Sequence, residues 1–303
     1  MRVLLTNDDG IRAPGIVALH RALTDPDRSI ADDVVTIAPL TVQSATGHGV
    51  TFSEPLMASD VKVNDAMQGV AVDGRPADCV KLALSTLWPE RFGPGSLPDV
   101  CISGMNAGAN CGVNVIYSGT VAAAIESAFL GVPSIAVSLH LGRGRVLWDR
   151  AARHARRAID AVLASGMLSP HTCININVPR CEAPIGDDEA SRREMMKERR
   201  EAGLPTLDSA GMPSEDGDND EPPIVVCPMN THGIVDRFEH RESPMGQPYY
   251  WSASSGLDFH ATDEGTDVER LFARCITVTP LTYDLTDHAM LDAWSKALSP
   301  ASP

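Results

Sequence analysis

The sequence has no Cys-x-x-Cys pair, no long apolar run and no surplus of positive charge, and each absence removes a class of function. Its seven cysteines (Cys79, Cys101, Cys111, Cys173, Cys181, Cys227, Cys275) are odd in number and scattered. Neither a zinc cluster nor a disulfide framework is expected from that spacing. Cys79, Cys101 and Cys173 sit in apolar contexts and read as small buried hydrophobes. Lys and Arg number 25 against 40 Asp and Glu, a formal net charge of −15. Binding to a nucleic-acid duplex relies on neutralising phosphates with basic residues, so such a partner is not expected. A small anionic substrate stays open, because a bound cation inverts the local field. No apolar run approaches the roughly 18 residues that span a bilayer, so no membrane partner is expected. The N-terminus runs directly into a strand, without a charged region and apolar stretch of signal-peptide type. With reduced thiols, this leads to the expectation of a cytoplasmic protein.

What is present is a full core: 43% of the 303 residues are hydrophobic, enough for one large α/β domain or two small ones. Strands are expected at Arg2–Thr6, Asp33–Ala38, Val100–Ser103, Ser134–Ser138 and Cys173–Val178, each rich in Val, Ile or Leu. Strands covered on both faces of a parallel sheet have that composition. Helical patterns fall between them, at about Pro14–Leu23, Pro76–Leu87, Gly119–Leu130 and Asp149–Leu163. The third is expected to stop at Gly131-Val132-Pro133. This alternation is the βαβ pattern of a mostly parallel sheet. We divide the chain into an α/β core over 1–181, an acidic surface insertion over 182–223 and a third part over 224–303. The insertion is polar, punctuated by Gly and Pro, and charged nearly all round at Ser191–Ala202. In the third part, Ile224–Cys227, Tyr249–Ser252 and Cys275–Thr279 read as strands and Asp287–Leu298 as a terminal helix.

Four segments have the composition of a site. Val3-Leu4-Leu5 ends in Thr6-Asn7-Asp8-Asp9-Gly10. Two adjacent carboxylates at the carboxyl end of a buried strand suit Mg²⁺ or Mn²⁺ and, through it, a phosphate. A plain solvated turn uses the same residue types. Gln43–Gly49 follows the second strand and offers hydroxyls and amide N–H groups, with the alternative of an ordinary surface loop. Ser103-Gly104-Met105-Asn106-Ala107-Gly108-Ala109-Asn110-Cys111-Gly112 interleaves asparagines with glycines. Asparagine oxygens ligate hard cations, and its N–H groups hold anions. The loop has neither the dinucleotide-binding nor the P-loop pattern. Finally, Tyr117-Ser118-Gly119-Thr120-Val121 opens a helix. Ser118 is placed to cap it, and a helix N-terminus favours a phosphate.

Leu4–Gly15, Ala38–Thr51, Val72–Val80, Ser103–Glu126 and Ile276–Leu281, in this order, resemble the SurE family, the stationary-phase survival proteins that are metal-dependent 5′(3′)-nucleotidases. The resemblance runs from residue 1 to about 180, weakens through the acidic insertion and resumes from about Ile224 to Thr286. It implies a Rossmann-like three-layer α/β core with a mostly parallel sheet, plus a C-terminal β-hairpin extension that exchanges between subunits of a homodimer or homotetramer. It implies one divalent cation per subunit (Mg²⁺ or Mn²⁺), held by Asp8, Asp9, Ser44 and Asn106. Phosphate contacts are implied at Asn110, Ser118, Gly119 and Thr120, and a nucleoside monophosphate as substrate. Val72–Cys79 resembles the family's Gly-Thr-Pro-x-Asp-Cys loop, with Arg75 in place of the Thr.

The chemistry expected is hydrolysis of a phosphomonoester, with Asp8 and Asp9 as catalytic carboxylates that bind the cation and take a proton or orient water. A covalent phospho-aspartate is the alternative route. His48 is either a proton donor or a loop residue. The rival from another class is a nucleotide-binding regulatory module without turnover, which needs no poised metal.

Overall fold

The computed structural model describes residues 1–183, 221–253 and 257–298. Nearly all of the acidic stretch expected as an insertion, Ser191–Ala202 included, lies outside the described residues. The elements in order are β1 (Arg2–Thr6), α1 (Pro14–Leu23), β2 (Asp33–Pro39), β3 (Met57–Lys62), β4 (Gln68–Asp73), α2 (Pro76–Leu82), α3 (Trp88–Phe92), β5 (Val100–Ala107), α4 (Gly119–Phe129), β6 (Ser134–Leu139), α5 (Trp148–Ala164), β7 (Cys173–Val178), β8 (Ile224–Val226), β9 (Phe238–Glu242), β10 (Pro248–Ser252), α6 (Asp267–Phe272), β11 (Ile276–Leu281) and α7 (Leu291–Leu298). A π-helical turn, Ala83–Leu87, joins α2 to α3, and a 3₁₀ segment, Gly112–Tyr117, precedes α4.

Nine strands form one sheet in the order β3-β4-β2-β1-β5-β6-β7-β11-β8. All neighbours run parallel except β3 with β4 and β11 with β7. β9 and β10 pair as a separate antiparallel hairpin. The expected α/β architecture is therefore present. Of the segment 224–303, β8 and β11 close the far edge of the large sheet, and only the hairpin forms a sheet of its own.

Strand alternation builds the layers. Val3 and Leu5 of β1 pack with Ile16 and Leu19 of α1 and Ala155 and Ile159 of α5. Leu4, between them, packs on the opposite face with Cys79, Val80 and Ala83 of the α2 side. Helices thus cover both faces. Pro14 starts α1, where its missing N–H is no loss, and Gly15 lets the helix approach β5: a Cβ there would lie 2.0 Å from the Met105 carbonyl oxygen. Gly131, at φ +82°, ends α4 as its sequence predicts. All seven cysteines are buried and free.

β1 is the point where the chain's direction across the sheet reverses: from it the sheet grows to β2 on one side and β5 on the other. The crevice outside the carboxyl ends of two such strands is where open α/β sheets bind ligands.

Candidate active site at the carboxyl ends of β1 and β5

Asp8 and Asp9 leave β1 at this crevice. Asn7 shapes their turn, donating from Nδ2 to the Gly10 carbonyl at 2.9 Å. Asp8 is 5% exposed. Burial, and then its neighbour Asp9, push its carboxyl up to about 6, against the pull of hydrogen bonds from Thr120. Burial also raises Asp9, which accepts from the Ala107 N–H at 2.8 Å. Neither carboxylate has an ion-pair partner among the described residues.

α4 points its N-terminus at Asp8. Gly119 packs so closely that a Cβ there would lie 2.8 Å from Asp8 Cβ and 3.0 Å from Pro76 Cγ. Only glycine leaves that space, and it brings the first backbone N–H groups of the helix, with their partial positive charge, to the carboxylate. Ser118 caps the helix as expected, accepting from the Val121 N–H at 3.1 Å. The Thr120 hydroxyl is fully buried and donates to Asp8 Oδ1, so here it meets a carboxylate rather than open space.

Two loops complete the rim. The Gln43 N–H donates to the Asp8 carbonyl at 2.7 Å, which sets the exposed Ser44 one residue from that anchor. Asn106 ends β5 beside the Ala107 amide that holds Asp9. Its Nδ2 donates to the Gly108 carbonyl at 2.7 Å, which turns Oδ1 away from that carbonyl. A register shift between Gly104 and Asn106 sets the strand end, and Gly104 permits it, because a Cβ there would lie 2.2 Å from the Val137 carbonyl oxygen. Asp8, Asp9, Gly119 and Thr120 are thus in direct contact or one neighbour apart, with Ser44 and Asn106 adjacent through the chain. Asn110 bonds instead to β6 and β7, donating from Nδ2 to Ser138 Oγ at 2.8 Å.

His48 pairs with Glu126 of α4 at 2.8 Å, and Lys81 of α2 reaches the same carboxylate at 3.0 Å. Burial opposes the charge on Glu126, but His48 and Lys81 outweigh it and hold the carboxyl below its ordinary value. His48 is therefore a tether of the Gln43–Gly49 loop to α4. Arg75 lies exposed, its guanidinium against the Gly49 backbone. The parts played by Glu126 and the β7 asparagines escaped the sequence reading. The one visible signal was Asn175-Ile176-Asn177, two amides on one face of an apolar strand.

The arrangement suits a hard cation. Among the described residues no three His, Cys, Asp or Glu side chains gather as a metal site. A cation here would add hydroxyl and amide oxygens to two carboxylates that burial and mutual repulsion leave short of positive charge.

Fold and site define a class: a parallel α/β protein with paired carboxylates at its switch point and a helix N-terminus facing them. Comparison with known proteins names the family. The model of "Survival protein SurE" matches residues 3–199, and the chain belongs to that family. The "5′-nucleotidase SurE" of Heliobacterium modesticaldum is 38% identical over 303 residues, covering 100% of this chain and 93% of that protein. Its counterpart in Desulforudis audaxviator is 38% identical over 298 residues, covering 98% and 97%. The crystal structure of the SurE protein from Aquifex aeolicus superposes with a TM-score of 0.70 at 30% identity, over 99% of this chain and 100% of that one.

Proposed function

We propose that the protein is a divalent-metal-dependent 5′-nucleotidase that hydrolyses nucleoside monophosphates, 3′-nucleotides included, to nucleoside and phosphate. The observation that carries this reading is the contact of Gly119 with Asp8: a helix N-terminus built for an anion stands against carboxylates built for a cation. A phosphate monoester bound with a metal ion is what satisfies both.

Asp8, Asp9, Ser44 and Asn106 would hold one Mg²⁺ or Mn²⁺. Bound there, the ion supplies Lewis-acid polarisation of the phosphate and lowers the pKa of a water. The chain's own groups do the rest. The Ser118–Thr120 helix start and Asn110 hold the equatorial phosphate oxygens, where charge grows in the transition state. Thr120 fixes Asp8 by its hydroxyl and keeps one carboxylate oxygen directed at the helix end. Asp9, held by the Ala107 amide, orients water or takes its proton.

Supporting features extend beyond the site. Phe238, Tyr250 and Trp251 are exposed on the hairpin, which fits an arm, within 224–303, that joins two or four copies of the chain. Among the described residues no helix is long and apolar enough to cross a membrane, and seven reduced thiols suit the cytoplasm.

Phosphate release from AMP and GMP with Mn²⁺, and its loss on adding EDTA, is the test. Absence of release from every nucleoside monophosphate and from a simple aryl phosphate would leave the regulatory, non-catalytic module as the better account.

A further inference from the structure

We propose that Asn177 is a positioning residue for phosphate binding: its side-chain amide locks the main chain of Asn110 in place from the neighbouring strand. The inference rests on reading Asn110 as a phosphate contact.

β7 alternates two kinds of residue. Ile174, Ile176 and Val178 face the α1 and α5 layer, in its core. Asn175 and Asn177 face the other way, and both are fully buried. Amides in such places are unfavourable unless hydrogen bonds satisfy them. Here their bonds converge on one residue. Asn110 donates its main-chain N–H to Asn177 Oδ1 at 2.8 Å, and Asn177 Nδ2 donates back to the Asn110 carbonyl at 2.9 Å. Asn175 Nδ2 donates to the same carbonyl at 2.7 Å. The Asn110 side chain is held in turn by Ser138 Oγ at 2.8 Å.

This fork copies the exchange of N–H and C=O between paired strands, with a side chain standing in for a strand. It is neutral, so it brings no competing charge near an anion and does not vary with pH. Two more bonds brace the same loop. The Gly108 N–H donates to the Leu139 carbonyl at 3.1 Å. The Gly112 N–H donates to Asp267 Oδ2 at 2.8 Å. Asn110 is thus fixed at the middle of a loop fastened at both ends. One N–H of its Nδ2 is engaged with Ser138, and the second has an imposed direction.

The test is equilibrium binding of inorganic phosphate to the Mn²⁺-loaded protein, beside Mn²⁺ binding alone and steady-state kinetics on AMP. Asn177→Leu keeps the size and removes the fork. Ser138→Ala removes only the hold on the Asn110 side chain, and serves if Asn177→Leu does not fold. We expect phosphate affinity to fall at least tenfold in Asn177→Leu and about threefold in Ser138→Ala. kcat/KM for AMP should fall by at least similar factors, while Mn²⁺ affinity changes less than twofold. On an Asn110→Ala background, either substitution should add little. Phosphate affinity within twofold of wild type in the folded variants would overturn the proposal. So would equal losses of phosphate and Mn²⁺ binding, or full additivity with Asn110→Ala. A wild-type protein that binds no phosphate would overturn the functional reading itself; variants that match a phosphate-binding wild type overturn only the role of Asn177.

Discussion

The two sides of the site are built on opposite principles. On the β1 side, Asp8 and Asp9 are carboxylates raised by burial. Beneath them the Thr6 and Ser103 hydroxyls and Asn7 Oδ1 are buried without a hydrogen-bond partner among the described residues. Each such atom is held at a cost of about 1–3 kcal/mol. On the β6 and β7 side, the Asn110 main chain and amide are met by four neutral hydrogen bonds. On the β1 side the unpartnered groups lie beneath the carboxylates proposed to hold a cation; on the β7 side the Asn110 main chain is held before any ligand arrives, with Asn175 Oδ1 the one amide oxygen of that network left without a partner among the described residues. Strain of the first kind is found where function has been favoured over stability.

That contrast can be broken by substitution. The largest effect should come from Asp9→Asn, which removes a ligand charge but keeps the shape. Turnover of AMP should fall by on the order of 10³-fold or more, with an unchanged circular dichroism spectrum. Wild-type activity would mean that the β1 side has no cation to hold. Gly119→Ala comes next. Its Cβ has no room beside Asp8 and Pro76, and activity should fall by on the order of 100-fold, with a loss of about 1–3 kcal/mol in stability.

Asp8→Asn should act in opposite directions on function and fold. The folded pKa of Asp8, about 6, lies above its unfolded value, so the folded state binds the proton more tightly. The metal-free protein therefore loses stability as pH rises from about 4 through 6, and at pH 7 the carboxylate carries its full penalty. Asn removes that penalty, so metal-free Asp8→Asn should be more stable by about 3 kcal/mol at pH 7 and no more stable at pH 3. Urea unfolding with EDTA at the two pH values measures this. Equal stabilities at pH 7 would show that burial does not strain Asp8.

Thr120→Val deletes one hydrogen bond to Asp8 and should weaken Mn²⁺ binding about tenfold. The loss should be greater at pH 6 than at pH 8, because the proton then competes better; isothermal titration at both values checks it. Arg75→Thr should do least. Its guanidinium rests on the Gly49 backbone in solvent, so kcat/KM for AMP should stay within about threefold. A larger change would extend the anion side of the site beyond the helix end.

Much of this was legible in the chain, and the remainder has physical reasons for being hidden. β1, α1 and β7 fall at their expected residues, because an apolar run or a Pro-led helical pattern marks each. β5 continues past its expected end at Ser103 to Ala107, carrying Asn106 with it through Gly104. The α2 span passes its expected end at Leu87 and reaches Phe92, because a π-helical turn and then Pro89 early in α3 carry the chain onward. β3 and β9 were missed for one reason: Met57–Lys62 is nearly all exposed and Phe238–Glu242 wholly so, and an exposed antiparallel strand needs no apolar run. In the site, adjacency in sequence announced Asp8, Asp9 and the Ser118 cap. What Thr120, Glu126 and Asn177 hold was not announced, since each partner lies 45 or more residues away.

The seven buried thiols give the molecule a property of a different kind. Burial raises Cys101 to about 12 and lifts Cys227 as well, so in the closed protein neither supplies the thiolate that alkylating reagents attack. Each becomes reactive only when its own neighbourhood opens. Cys101 sits in β5 at the middle of the sheet, and Cys227 follows β8 at its edge. The order in which they are labelled is therefore a record, written by the protein's own residues, of which part of the sheet comes apart first.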